Sequence, residues 1–137
     1  MDAHAHPPLR VVLIEDSAVL RDLLVGMLGG IRTLDIVGTA DSEEEALLLL
    51  ARVRPDLVIV DLELKSGTGL GILGAIKAAP ERFGSTRAVV FSNHSHPVVQ
   101  AKCRVLGAEA FFDKSFQMDQ LLSFVEGAAG LGATIPA

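Results

Sequence analysis

Aromatic side chains are almost absent from this sequence, which has no Trp, no Tyr and only 6 Phe among 137 residues. Any core must therefore be built from Leu, Val, Ile and Ala, and a hydrophobic content of 50% is enough to bury one. The single cysteine, Cys103, excludes an internal disulfide bond and fits a reducing compartment. The length leaves room for one ordinary domain and not for two.

Positive charge is also scarce, because 12 basic residues face 17 acidic ones and the net charge is −5. This balance argues against a nucleic-acid-binding surface. The longest apolar run, Ala46 to Ala51, is too short to span a membrane, and Met1 to Arg10 lacks the basic and apolar parts of a signal peptide. We therefore expect a cytoplasmic domain without direct contact to nucleic acid or membrane.

Short apolar, β-branched runs alternate with segments of helical periodicity along the chain. The runs predict strands, and each strand is followed by a predicted helix. The second helix begins with a capping box formed by Ser42 and Glu45. The acidic residues Glu43 to Glu45 lie in its first turn, where the helix dipole favours negative charge. The predicted strands are 10–14, 34–37, 57–60, 87–91 and 110–112. Apolar strands separated by helices indicate an α/β fold with a parallel sheet covered on both faces. We predict a lead-in over 1–9, the domain over 10–128 and a tail over 129–137.

A polar residue follows four of the five predicted strands: Glu15 and Asp16, then Asp61, Ser92 and Lys114. The carboxyl ends of parallel strands share one edge of the sheet, so these side chains should meet in one cleft. Three carboxylates cannot all stay ionised there without a cation, and oxygen ligands suit Mg²⁺. The metal, the lysine and the hydroxyl could neutralise a transferring phosphoryl group, with Asp61 as the best-placed nucleophile.

Four segments carry a resemblance to a known family: VVLIEDS (11–17), RPDLVIVDLEL (54–64), VVFSN (89–93) and GAEAFFDKS (107–115). They resemble the receiver domain of response regulators in two-component signalling. The resemblance implies a doubly wound, flavodoxin-like (βα)5 fold with strand order 2-1-3-4-5. It also implies that Mg²⁺ is held by the carboxylates of Glu15, Asp16 and Asp61 and the main-chain carbonyl of Glu63. Asp61 would then be phosphorylated by a histidine kinase or a phosphotransfer protein.

The resemblance assigns further roles to individual residues. Ser92 would hydrogen-bond the new phosphoryl oxygens, Lys114 would pair with them, and Phe111 would be the aromatic residue of the switch. The face formed by the fourth helix, fifth strand and fifth helix would be remodelled for an unknown downstream protein, and a homodimer through this face is left open. Glu63 and His94 lie where the family tunes dephosphorylation, so we expect them to affect the phosphoryl lifetime.

The residue after Lys114 differs from the family pattern. Ser115 follows Lys114 where the family has a cis proline, and a cis bond to a non-proline residue costs roughly 2.5–4 kcal/mol, so this peptide is either trans or strained.

The segment from Gly69 to Gly74 matches the letters G-x-G-x-x-G of dinucleotide-binding loops. It does not directly follow a strand, as that motif requires, so we interpret it as a chance match in a flexible loop.

Two other functions compete with a phosphorylated receiver. A phosphoaspartyl hydrolase of the haloacid-dehalogenase type uses a similar site, but it has a second Asp two residues beyond its nucleophile, where this chain has Glu63. A receiver that binds partners without phosphorylation would not need the five site residues, which are all present. Apart from self-phosphotransfer and autodephosphorylation, we expect no enzymatic activity. A chain that ends at Ala137 leaves open a stand-alone receiver or part of a longer regulator.

Overall fold

A five-stranded parallel sheet forms the centre of the computed structural model, which describes residues 7–130. The strand order is β2-β1-β3-β4-β5, so the α/β class, the doubly wound arrangement and the predicted order are confirmed. The elements are β1 (Leu9–Ile14), α1 (Ala18–Leu28), β2 (Leu34–Ala40), α2 (Glu43–Val53), β3 (Leu57–Val60), α3 (Gly69–Ala78), a 3₁₀ helix (Pro80–Phe83), β4 (Arg87–Ser92), α4 (Pro97–Val105), β5 (Phe111–Asp113) and α5 (Met118–Ala128).

The first three helices begin at side-chain caps. Ser17, Ser42 and Thr68 each accept a hydrogen bond from the backbone N–H three residues further on, at 3.3, 3.3 and 3.1 Å. Such caps satisfy one of the free N–H groups at a helix start. The predicted capping box is half formed, since among the hydrogen bonds of residues 7–130 the Glu45 side chain does not return one to Ser42.

The hydrophobic core lies on both faces of the sheet, because alternate residues of each strand point to opposite sides. On one face, the strands pack against α1 and α5 through side chains such as Leu24 and Leu121. On the other face, they pack against α2, α3 and α4 through Leu50, Ile72 and Cys103. Cys103 is 1% exposed, and burial raises the pKa of its thiol. Both faces are thus covered, as expected for buried parallel strands.

The strand ends differ from prediction at four places, one of them β4, which ends at Ser92 instead of at residue 91. β1 begins at Leu9, inside the predicted lead-in, and β5 covers 111–113 instead of 110–112. β2 continues to Ala40 instead of ending at residue 37, because main-chain pairing with β1 resumes after a register shift and includes Gly38. Most of the predicted lead-in and tail lie outside the described residues, so the domain bounds stay a prediction. Within residues 7–130, every helix is too short or too polar to cross a membrane.

Candidate functional site

The carboxyl ends of β1, β3, β4 and β5 are joined by main-chain hydrogen bonds. The Asp61 N–H donates to the Ile14 carbonyl at 3.0 Å, and the Lys114 N–H donates to the Ser92 carbonyl at 3.1 Å. The strand order reverses at β1, whose two neighbours are β2 and β3. Ligand sites of open α/β sheets lie at such a switch point, and the residues just past these strands meet there.

A lysine and two buried carboxylates form the centre of the site. Lys114 Nζ lies 2.7 Å from Asp61 Oδ2 and 2.8 Å from Glu15 Oε1. Burial raises the pKa of Glu15, and the hydrogen bond from Lys114 offsets this only in part. Burial also acts to lower the pKa of Lys114, but its hydrogen bonds to Asp61 and Glu15 outweigh burial and leave that pKa raised. Lys114 therefore stays an ammonium ion between the two acids.

An exposed carboxylate completes an acidic cluster. Glu15, Asp16 and Asp61 each offer one oxygen, and these oxygens all lie within 4.8 Å of one another. Backbone N–H groups hold the two buried members, since Ser17 donates to Glu15 Oε2 at 3.0 Å and Glu63 donates to Asp61 Oδ1 at 3.3 Å. Such an oxygen-only set, open to solvent on the Asp16 side, fits a hard divalent cation that keeps some of its waters.

The predicted switch residues lie on β4 and β5. Ser92 is fully buried, and its Oγ accepts a hydrogen bond from the His94 N–H at 3.1 Å. Phe111 is half-buried and packs against the core cluster that includes α4. The peptide between Lys114 and Ser115 is trans, because residues 7–130 contain no cis peptide. The open choice at this peptide is thus resolved in favour of the trans form.

An exposed contact between a histidine and a carboxylate lies next to the acidic cluster. His94 Nε2 is 3.0 Å from Glu63 Oε2, and the two side chains are 55% and 65% exposed. The pair joins the loop after β3 to the loop after β4. Glu63 and His94 also line a cleft of about 410 Å³ between these loops and α4, together with Leu62, Leu64, Gly67, Thr68, Leu70 and Val99. The two residues predicted to affect phosphoryl lifetime are therefore direct partners.

One contact of the site was missed by sequence reasoning, and one interpretation was wrong. Glu43, interpreted as a charge favourable to its own helix, accepts a hydrogen bond from the Thr68 N–H at 2.9 Å. The segment from Gly69 is not a flexible loop, because it begins α3. A Cβ at Gly69 would overlap the Asp61 carbonyl and lie 2.9 Å from Leu62 Cα. No local pattern indicates either contact, because Glu43 and Thr68 are 25 positions apart and Gly69 meets Asp61 and Leu62 only once the intervening loop has folded back.

The parallel sheet and the lysine-bridged acidic cluster at its switch point define a flavodoxin-like receiver architecture. A sequence profile of the response regulator receiver domain matches residues 11–126. The chain therefore belongs to the response regulator receiver domain family. The comparisons give no support to a haloacid-dehalogenase-type hydrolase.

Two curated relatives are longer than the part that matches this chain. The chain is 32% identical over 124 residues to the nitrate/nitrite response regulator protein NarL of Escherichia coli (strain K12), covering 89% of this chain and 55% of the relative. It is 33% identical over 104 residues to a protein-glutamate methylesterase/protein-glutamine glutaminase of Nocardioides sp. (strain ATCC BAA-499 / JS614), covering 76% and 28%. The chain thus spans about half or less of these two relatives' lengths.

Solved structures show the same fold. The CheX-CheY-BeF₃-Mg²⁺ complex from Borrelia burgdorferi contains a chain that matches with a TM-score of 0.79 at 21% identity, covering 89% of this chain and 90% of that one. At this identity the likeness concerns the fold.

Proposed function

We propose that this chain is the phosphoacceptor domain of a two-component response regulator, phosphorylated on Asp61 by a histidine kinase or a phosphotransfer protein. One observation carries the proposal. The buried Asp61 carboxylate is held by Lys114 at 2.7 Å inside a cluster of acidic oxygens. With Asp61 as the nucleophile, a fixed positive charge and a set of cation ligands would lie beside it, which is what phosphoryl transfer requires.

Mg²⁺ is the cation that fits the site. The carboxylates of Glu15, Asp16 and Asp61 would hold it, together with the main-chain carbonyl of Glu63. When bound, it would neutralise charge on the transferring phosphoryl oxygens. Aspartate phosphorylation and Mg²⁺ binding are typical of this family.

The transfer itself is a displacement at phosphorus. A carboxylate oxygen of Asp61 attacks the phosphorus of a phosphohistidine; the O–P bond forms as the P–N bond breaks, and the electron pair goes to the imidazole nitrogen. Lys114, held as an ammonium ion, would donate to a phosphoryl oxygen. The Ser92 hydroxyl, whose oxygen accepts from the His94 N–H, would donate its own proton to another. No other enzymatic activity is proposed for this chain.

The signal would leave through the α4-β5-α5 face. If the phosphoryl group binds one arrangement of Ser92 and the β4–α4 loop better than the other, it shifts the population between them. Phe111 would follow by packing more deeply, since it is half-buried here. Val98 and Val105 on α4 are 68% and 70% exposed, which supports a protein partner or a second copy at this face.

The donor is better explained as a protein than as a small molecule. Val19 lies in the first turn of α1, just after Asp16, and is 82% exposed. Phe116 follows Lys114 by two residues and is 84% exposed. Exposed apolar side chains next to a reactive site favour protein docking there. These two residues therefore support delivery of the phosphoryl group by a kinase or phosphotransfer domain.

The purified chain should accept one phosphoryl group from acetyl phosphate in the presence of Mg²⁺. Intact mass spectrometry should show a single phosphoryl adduct that decays slowly, and no adduct when EDTA removes the metal. We expect this because the site supplies the nucleophile and the positive charges that stabilise the phosphoryl group, while acetyl phosphate supplies the leaving group. Continuous turnover of a small phosphoester would support the hydrolase instead, and no adduct at all would contradict the proposal.

Breaking the Glu63–His94 pair should shorten the lifetime of the phosphoryl group. The pair joins the two loops beside Asp61, so its loss would open a path for the attacking water. We expect Glu63→Ala and His94→Ala each to speed decay by about two- to fivefold, the effect of losing one exposed side-chain contact. Adduct decay followed by mass spectrometry measures this, with Lys65→Ala in the same loop as the control. An unchanged decay rate in the double alanine variant would refute the proposed role.

A further inference from the structure

The loop between β3 and α3 is attached to the start of α2. The Lys65 N–H donates to the Asp41 carbonyl at 3.0 Å, and the Glu43 N–H donates to the Ser66 carbonyl at 2.9 Å. The third bond is different, because the Thr68 N–H donates to the Glu43 side chain at Oε1, at 2.9 Å. Of the groups that form these three hydrogen bonds, only the Glu43 carboxylate belongs to a side chain. Glu43 is half-buried.

Two glycines make space for this carboxylate. A Cβ at Gly71 would lie 2.6 Å from Glu43 Cδ and closer still to both of its oxygens. A Cβ at Gly67, which has a φ of +78°, would overlap Glu43 Cβ. The backbone of the loop and of the first turn of α3 thus approaches Glu43 as closely as only glycine allows. Within the Gly69–Gly74 segment, this contact accounts for the glycine at position 71.

A short main-chain path leads from Glu43 to the proposed metal ligands. Thr68 and Glu63 pair in an antiparallel β-bridge, next to which the Gly69 N–H donates to the Leu62 carbonyl at 3.0 Å. The Glu63 N–H in turn donates to Asp61 Oδ1 at 3.3 Å. The Glu63 carbonyl and the Asp61 carboxylate are therefore held on one side by β3 and on the other by the bridge to Thr68.

We propose that Glu43 is a positioning residue for this site. Its carboxylate fixes the backbone of Thr68 and, through the bridge, keeps the Glu63 carbonyl and the Asp61 carboxylate in a geometry that binds Mg²⁺. The inference rests on the proposed function, which makes these two groups metal ligands. Partners that orient metal ligands typically change metal affinity by about 10- to 100-fold when they are removed.

Mg²⁺ affinity of the full chain, measured by isothermal titration calorimetry, tests the proposal. Glu43→Ala should bind Mg²⁺ about tenfold more weakly. Glu43→Gln keeps an acceptor oxygen without the charge, so it should stay within about twofold of the wild type. Glu44→Ala is the matched control, because Glu44 is the next acid of the same helical turn and is exposed. Equal affinities of Glu43→Ala and Glu44→Ala would overturn the proposal, as would a Gln variant as weak as the Ala variant.

A pair of glycine substitutions tests the same contact from the other side. Gly71→Ala displaces the carboxylate and should weaken Mg²⁺ binding about as much as Glu43→Ala. Gly74→Ala lies in the same helix with nothing within 4 Å of the new Cβ, so it should have no effect. The variant with both Glu43→Ala and Gly71→Ala should be no weaker than Glu43→Ala alone, because one contact cannot be lost twice. Additive losses would contradict the proposal.

Two further measurements separate the possible failures. Backbone amide NMR signals of Glu63 and Thr68 should shift in Glu43→Ala and not in Glu44→Ala, and the remaining signals confirm that each variant is folded. If the wild type takes up no phosphoryl group with Mg²⁺, the proposed function is wrong. If the wild type is phosphorylated but Glu43→Ala binds Mg²⁺ like Glu44→Ala, only the positioning role of Glu43 is wrong.

Discussion

Asp61→Asn should lose Mg²⁺-dependent phosphorylation completely, so that intact mass spectrometry finds no phosphoryl adduct after treatment with acetyl phosphate. The amide has no anionic oxygen to attack phosphorus, and the other carboxylates of the cluster, Glu15 and Asp16, are proposed metal ligands. The variant should fold, because Asn has nearly the volume of Asp and Lys114 keeps Glu15 as a partner at 2.8 Å. The expected loss therefore reports chemistry rather than unfolding.

Asp56→Asn is the matched control for this experiment. Asp56 precedes the same strand, β3, at the opposite edge of the sheet, and its exposed carboxylate accepts a hydrogen bond from the Arg10 N–H at 2.9 Å. An Asn can still accept this bond, so the variant should be phosphorylated like the wild type. If Asp61→Asn is labelled as fully as Asp56→Asn, the phosphoacceptor is another residue, and peptide mapping of the adduct would identify it.

Lys114→Met should destabilise the chain by about 3 kcal/mol at neutral pH, measured by urea unfolding without Mg²⁺. Removing the ammonium ion leaves Glu15 and Asp61, which are 1% and 4% exposed, without their shared cation. Truncating one partner of a buried ion pair is costly because the remaining charges stay desolvated. Added Mg²⁺ should recover part of the loss by binding the same carboxylates, and Lys77→Met, which removes an exposed lysine, should cost much less.

The stability of Lys114→Met should also depend on pH in a defined direction. Burial already raises the pKa of Glu15 above 4.5, and the hydrogen bond from Lys114 acts against this rise. A group with a raised folded pKa contributes stability that is complete below its unfolded pKa and is lost as pH rises through the folded value. The variant lacks the opposing hydrogen bond, so its deficit should shrink as pH falls from neutral toward 4.5. A deficit that does not change with pH would contradict this account.

The sequence indicates where the candidate site residues meet, because a polar residue follows four of the five predicted strands. Leu57–Val60 is buried throughout, and Asp61 follows at once. The sequence alone does not show which of Glu15 and Asp16 is buried. The structure answers this through the backbone: the Glu15 N–H still pairs with the Ala40 carbonyl at 2.9 Å, so Glu15 continues the strand while Asp16 has left it.

Other features could not be predicted, because they depend on pairing and packing between distant segments. Gly38 interrupts the apolar run of β2, yet the strand continues because β1 supplies main-chain partners. Glu43 meets Thr68 across 25 positions of sequence. Glycine has no side chain, and the sequence does not show which other group of the protein occupies the space beside its Cα. The glycines of this segment therefore indicate a flexible loop in the sequence, although Gly69 is closely packed in the structure.

The position of Cys103 gives this protein a built-in chemical reporter. It is the only cysteine of the chain, and it faces the sheet from α4, the helix proposed to rearrange. Burial and a raised pKa both suppress the thiolate, which is the form that reacts with thiol reagents. The rate of alkylation therefore measures how often α4 leaves the sheet, and it can be followed in the wild-type chain without any added label.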